Sequence, residues 1–160
     1  MEGGRYTMNV AFFLLPKDEV VYLTPKTTIR QALERMEYHR YTAVPVINSD
    51  GKYVDTLTEG DLLWTIKNRP DLNFENCHKF TIDQVPRRMK NKAVHIAANM
   101  KDLIRLAKVQ NFVPVIDDVG VFIGIVRRSD IIDYCYKIIT GCSEEELKKE
   151  EEVEKEKESK

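Results

Sequence analysis

The sequence predicts an α/β (α+β) fold in which two copies of a strand-helix-strand-strand-helix unit pack sheet to sheet with pseudo-two-fold symmetry. Three observations lead there. The tetrapeptide Val44-Pro45-Val46-Ile47 recurs unchanged as Val113-Pro114-Val115-Ile116, 69 residues further on. Gly51 and Asp61 recur at the same interval as Gly120 and Asp130. Upstream of each tetrapeptide, apolar residues fall at i, i+3, i+4 and i+7, the spacing of one helix face: Ile29, Ala32, Leu33 and Met36 in one copy, Met100, Leu103, Ile104 and Ala107 in the other.

The first copy is assigned residues 8–69. Its helix opens at Thr28, whose side-chain oxygen can accept from the free N–H groups of a first turn, and Asn99 stands in that place in the second copy. The helices are 71 residues apart, so the second copy has a connection two residues shorter between helix and strand. Ala43 to Ile47, rich in Val and Ile, reads as a strand whose proline must sit where no neighbour needs an N–H. Asn48-Ser49-Asp50-Gly51 reads as a turn, and Lys52 to Thr58 alternates as the next strand. A helix follows with Asp61 near its start and Leu62, Leu63, Trp64 and Ile66 along it, ended with the help of Pro70. Residues 70–81 read as a linker, and residues 82–139 as the second copy, entered through a short Pro-interrupted helix at Ile82-Asp83-Gln84-Val85-Pro86. Residues 143–160 form a charged tail, partly helical or disordered: Ser143 with Glu146 resembles a capping box, Glu144 with Lys148 and Glu145 with Lys149 are spaced as i,i+4 pairs, and few apolar residues follow Glu150. Neither copy, at about 60 residues, can bury both faces of a three-stranded sheet alone, so the two sheets are expected to cover each other, with helices outside.

Composition narrows the function. A hydrophobic content of 42% supports a folded core, and no stretch approaches the roughly 18 apolar residues of a membrane span. Met1 to Thr7 lack the apolar core of a secretion signal, so a cytoplasmic protein without membrane attachment is expected. The net charge of −1 conceals an acidic tail and a mildly basic body. The short cluster Arg87, Arg88, Lys90, Lys92 reads as solvated linker, and nucleic-acid binding is not expected. Three cysteines without a C-x-x-C pair point to free thiols, with no metal site. Neither a nucleophile motif of the G-x-S-x-G type nor a phosphate-binding glycine loop is present, so no catalytic residues are assigned. His39 and His78 read as solvated, His95 is a lesser candidate to line a cleft, and Trp64 and Tyr134 read as dimer or core contacts.

Leu23-Thr24-Pro25 through Ala32-Leu33, then Tyr41-Thr42-Ala43-Val44-Pro45-Val46, Gly51 and Thr58-Glu59-Gly60-Asp61, together resemble a CBS domain. The second copy resembles one too, and together the two cover a span from about Met8 to Ile139. The whole resembles a stand-alone tandem CBS pair, or Bateman module, of the prokaryotic type. The resemblance implies a non-catalytic regulatory module that needs no cofactor and takes an adenine nucleotide or other adenosyl compound (AMP, ADP or ATP foremost) as regulatory ligand in the cleft between the repeats.

Chemistry supports the implied roles. The two oxygens of Asp61 can accept from both hydroxyls of a ribose, and the Thr58 hydroxyl adds a third contact. Backbone groups around Tyr41, Thr42 and Ala43 suit the polar edge of adenine, with Val44 enclosing the ring. Thr24 joins this set, and Asn111, Phe112, Val113 and Asp130 are its second-copy counterparts. Arg127 departs from the family pattern: it replaces the Ser or Thr three residues before the aspartate, with Arg128 beside it, and either meets a phosphate or fills the cleft by pairing with Asp130. Lys26 and Arg40 are further phosphate candidates. Asp55 replaces a glycine common in the family, which Gly124 keeps. Against the ligand role stands the common use of an acid in a first helical turn, which is to stabilise the helix start. The resemblance also implies a homodimer formed through the late helices and an output through an unidentified protein partner. The alternative is a dimeric interaction or scaffold module that binds no nucleotide.

Overall fold

The computed structural model describes residues 8–141 and Lys149; apart from Lys149 the charged tail, including the Ser143 capping box, lies outside the described residues, as do Met1–Thr7 and Cys142. A turn of 3-10 helix (Val10–Phe13) and a two-residue strand β1 (Leu15–Pro16) precede the first copy. That copy contains α1 (Ile29–His39), β2 (Ala43–Ile47), β3 (Tyr53–Thr58) and α2 (Glu59–Asn68). The second contains β4 (Val94–His95), α3 (Met100–Ala107), β5 (Phe112–Ile116), β6 (Phe122–Arg127) and α4 (Arg128–Thr140).

In both copies a hairpin of antiparallel strands carries the repeated tetrapeptide, and in both the register shifts just before its last residue, at Val46/Ile47 and at Val115/Ile116. A parallel partner lies on the other side. In the second copy this is β4, paired with Val115 and Ile116. In the first it shrinks to Leu23, whose N–H donates to the Pro45 carbonyl at 2.9 Å and whose carbonyl accepts from Ile47 at 2.8 Å. The ladder stops there because the next N–H, of Thr24, turns to the Thr27 hydroxyl at 3.1 Å, and Pro25 has none to give.

The helices are opened by the predicted caps. Thr28 and Gln31 form a reciprocal capping box, with both bonds at 3.1 Å, and Asn99 accepts from Asp102 N at 2.9 Å. On α1, Ile29, Ala32 and Met36 are buried, and on α3 Leu103 and Ala107; Ile104 is 41% exposed, so the stripe α3 lays on its sheet is narrower than the apolar pattern suggests.

Segments crossing between the copies complete the cores. Ile82 and Val85, which follow the linker, are buried in the first-copy core with Leu23, Ile29 and Leu62, and linker residues Leu72 and Cys77 join them. Val10 and Phe13, at the start of the chain, are buried in the second-copy core with Leu103, Val113 and Ile131. Each copy is thus plugged by a short 3-10 turn leading into the other. A third cluster, Ile47, Phe112, Phe122 and Ile125, with Tyr53 and Ala43 against it, joins sheet to sheet. There Gly51 O accepts from Phe122 N at 2.8 Å.

The lead-ins differ in one respect. Strand β1 pairs antiparallel with β6 at Gly124 and Ile125, and a Cβ on Gly124 would stand 2.1 Å from the Leu15 carbonyl oxygen. At the matching place β3 carries Asp55, which faces the Arg87 side chain instead, with Nε 3.2 Å from Oδ2. Arg87 is 13% exposed and also donates to the Ile82 carbonyl at 3.0 Å. The basic cluster is therefore not wholly the solvated linker that its composition suggests: Arg87 is a buried clasp.

Candidate ligand site

Thr58 ends β3 in extended backbone and caps α2, which places Asp61 at the third position of the helix. The two form a reciprocal box: Thr58 N donates to Asp61 Oδ2 at 2.9 Å, and Asp61 N donates to the Thr58 hydroxyl at 3.2 Å. Asp61 Oδ1 accepts from Arg88 N at 2.9 Å. The carboxylate is 2% exposed, with one protein donor on each oxygen and one lone pair left on each.

The second copy is built differently. Arg127 supplies no side-chain cap to α4. Its guanidinium grips both oxygens of Asp130, Nε to Oδ2 and Nη2 to Oδ1, each at 2.9 Å. Of the two uses open to Arg127, this structure displays the pairing with Asp130. That bond is also the chief reason the guanidinium pKa is raised, with the charges of Asp130, Tyr41 and Asp133 adding to it.

The entries to β2 and β5 meet between the copies. Asn111 Nδ2 donates to the Thr42 hydroxyl at 3.0 Å, joining two residues that the repeat makes equivalent. The Thr42 carbonyl accepts from Glu59 N at 3.0 Å, and that of Asn111 from Arg128 N at 3.1 Å, so each strand entry is tied to the helix start of its own copy. Arg128 adds bonds to Gln110 O at 3.0 Å and Asn111 Oδ1 at 3.1 Å.

The other predicted residues divide between the core and the periphery. Val44 and Val113 are sealed in the two cores, and Phe112 lies between the sheets. Ala43 is half-buried against that same cluster. Tyr41 is exposed, with its ring stacked on His39 at 5.2 Å. Thr24 is exposed at the turn after Leu23. Lys26 is held by Asp83 at 2.7 Å, and Arg40 closes α1 in left-handed backbone. His95 is turned to Asp118, with Nε2 2.7 Å from Oδ1, while its Nδ1 accepts from Ala97 N. Tyr134 packs edge-on against Phe13 at 5.3 Å.

Gln110, absent from the predicted set, is 2% exposed and works as an artificial strand neighbour. Its Oε1 accepts from Lys92 N at 2.9 Å and its Nε2 donates to Lys92 O at 3.0 Å. The repeat aligns Gln110 with Tyr41, so internal comparison gave no signal for it. The acids themselves open onto two related grooves, each between a late helix and the lead-in that crosses to it. One, of about 440 Å³, is lined by Asp61, Trp64, Gln84, Pro86 and Arg88 among others. The other, of about 450 Å³, is lined by Phe12 to Leu15, Arg127, Asp130 and Tyr134 among others.

Comparison with known proteins agrees with this architecture. The family profile described as "CBS domain" matches residues 14–68 and 81–137. A CBS domain-containing protein of Dictyostelium discoideum is 29% identical over 119 residues, covering 71% of this chain and 82% of the relative. The crystal structure of CbpB from Listeria monocytogenes in complex with c-di-AMP superposes with a TM-score of 0.71 at 18% identity, covering 81% of this chain and 96% of that one. The structure of CBSX2 in complex with AMP gives 0.66 at 23% identity, covering 81% and 97%.

Proposed function

The chain belongs to the CBS domain family, and on that footing we propose that it is a regulatory module that binds an adenine nucleotide, AMP, ADP or ATP, between its two copies and changes their relative arrangement. One observation carries the reading: the 3.0 Å contact between Thr42 and Asn111 puts the two strand entries side by side, and each entry is tied to the helix start that bears an acid. In this reading Asp61 and Thr58 take the ribose, and backbone around Tyr41 to Ala43 and Asn111 to Val113 takes the base. Arg128 meets phosphate, while Arg127, paired with Asp130, closes the second cleft. The ligands of CbpB and CBSX2, c-di-AMP and AMP, support the adenosyl class. A ligand acts here only through its preference for one arrangement over another.

The test is a thermal-shift panel of AMP, ADP, ATP and c-di-AMP on the wild type, Asp61→Ala and Asp130→Ala. A ligand at about 100 times its dissociation constant adds roughly 2.7 kcal/mol, a rise of several degrees. We expect Asp61→Ala to abolish most of it. A wild type unmoved by every ligand at millimolar concentration removes the nucleotide reading.

A specific observation favours a second reading. Both acids already have protein partners, Asp61 from backbone N–H groups and Asp130 from Arg127, as purely structural acids would. Under that reading the module is an interaction scaffold. Its surface for a second copy is the apolar face left on the late helices by Leu63 on α2 and by Ile132 and Tyr136 on α4, which are 52%, 57% and 40% exposed. Glutamate at Leu63 and Ile132 would then yield a monomer by light scattering, with no ligand effect on the wild type.

A further inference from the structure

Arg88 touches two places at once. Its backbone N–H holds the buried Asp61 carboxylate at 2.9 Å, and its guanidinium lies 5.4 Å from the centre of the Trp64 ring, on the outer face of the same helix. Asp61 and Trp64 are three residues apart on α2, so they sit one turn above the other on one side of it. Among the described residues Arg88 forms no ion pair, which leaves the indole as the contact of its charge. Trp64 is 38% exposed and is the chain's one tryptophan.

The segment that carries Arg88 is fixed at both ends and exposed between them. Upstream, Arg87 is clasped by Asp55, and downstream Lys92 is held through both its backbone groups by Gln110. Arg88, Met89 and Lys90 between these anchors are exposed. Asn91 Oδ1 is buried there without a hydrogen-bond donor, so this short strap is not fully satisfied as it stands. Asp61 is 2% exposed, so a hydroxyl that reaches the lone pair left on Oδ1 has to displace what covers the carboxylate, and Arg88, which lines the groove beside it, is also one of two cations over Trp64, the other being Lys67 at 5.1 Å.

We propose that Arg88 is a positioning residue that couples occupancy of Asp61 to the Trp64 face of α2. When a ligand takes Oδ1, the strap from Arg88 to Asn91 moves out and lifts the Arg88 guanidinium off the indole, leaving Lys67 in place 5.1 Å from the ring centre. The signal thereby passes from a buried carboxylate to an exposed aromatic surface without α2 itself shifting. This rests on the nucleotide reading for its ligand, but the Asp61–Arg88–Trp64 linkage itself is testable without one.

The experiment is Trp64 emission and acrylamide quenching on the full chain, as wild type, Asp61→Ala, Arg88→Ala and the double variant, with melting curves to verify folding. Removing the acceptor at Asp61 is expected to red-shift the emission and raise the quenching constant by up to roughly twofold, as the cation leaves the ring. Arg88→Ala is expected to do the same, and the double variant to add nothing further, the mark of one shared path. Asp61→Asn, which preserves volume should the alanine fail to fold, moves the same way by less. Emission unchanged in folded Asp61→Ala or Asp61→Asn overturns the proposal. With AMP added to the wild type, emission moves as in Asp61→Ala. AMP that raises the melting temperature while Trp64 stays unchanged overturns the coupling and leaves the nucleotide reading intact. AMP without either effect removes AMP as the ligand, and the ligand-free cycle then decides the coupling alone.

Discussion

Arg127 and Thr58 hold equivalent places, and the difference between them is large enough to give the two copies different chemistry. Arg127 and Asp130 are 54% and 25% exposed, so their bidentate bond adds little to stability, on the order of 1 kcal/mol or less. Arg127→Thr is therefore expected to leave the melting temperature almost unchanged while freeing Asp130. Titration calorimetry should then show AMP stoichiometry rising from one toward two per chain; an unchanged stoichiometry would mean that Arg127 is not what closes the second cleft. Tyr53 offers a pH test. Burial chiefly, with the charge of Asp55 adding to it, pushes its pKa up to about 12 against the hydrogen bond to Thr56 and the charge of Arg87. The folded pKa lies above the unfolded value of about 10. The stabilisation is therefore complete below pH 10 and is lost as pH rises toward 12, the loss amounting to about 2–3 kcal/mol. An ultraviolet titration should find one tyrosine ionising last, near the pH of alkaline unfolding, and Tyr53→Phe should remove that step.

At the scale of elements, β1 and the Arg87 clasp solve one problem in two ways, and each solution makes a prediction. Gly124→Ala sets a Cβ against backbone and should displace β1, costing about 1–3 kcal/mol in urea unfolding. Arg87→Met leaves Asp55 without its cation. Burial already holds the Asp55 pKa above its ordinary value despite Arg87, so the loss should be about 2–3 kcal/mol, below the roughly 3–5 kcal/mol of a fully buried pair. Adding Asp55→Gly should recover most of it. Much of this level was legible in the sequence. Hairpins and helices follow from local periodicity and capping, which is why Thr28, Asn99 and the tetrapeptide strands fell where expected. The exceptions depend on distant partners: Ile104 has the right spacing and no sheet beneath it, and Arg87 reads as one more basic residue until Asp55, 32 positions earlier, is seen beside it. The candidate site was legible in the same measure. The repeat picks out Asp61 and Asp130 and the family resemblance adds Thr58, but nothing local reveals that Arg88 N–H reaches Asp61 or that Gln110 replaces a strand.

For the whole molecule, the crossed lead-ins should make unfolding a single event. Val10 and Ile82 are fully buried, each in a core built mainly by the other copy. Val10→Ala and Ile82→Ala should therefore each lower one common transition by about 1–3 kcal/mol, with calorimetric and van't Hoff enthalpies equal. Two resolved transitions, each moved by one of the variants, would mean that the copies fold independently. The crossing also sets a schedule. The first copy can close once Val85 has left the ribosome, but Val10 and Phe13 must wait for Ile131, more than a hundred residues later. A segment made before the first copy is thus buried only after it, and the Phe13 ring stays open to chaperones while both copies are synthesised.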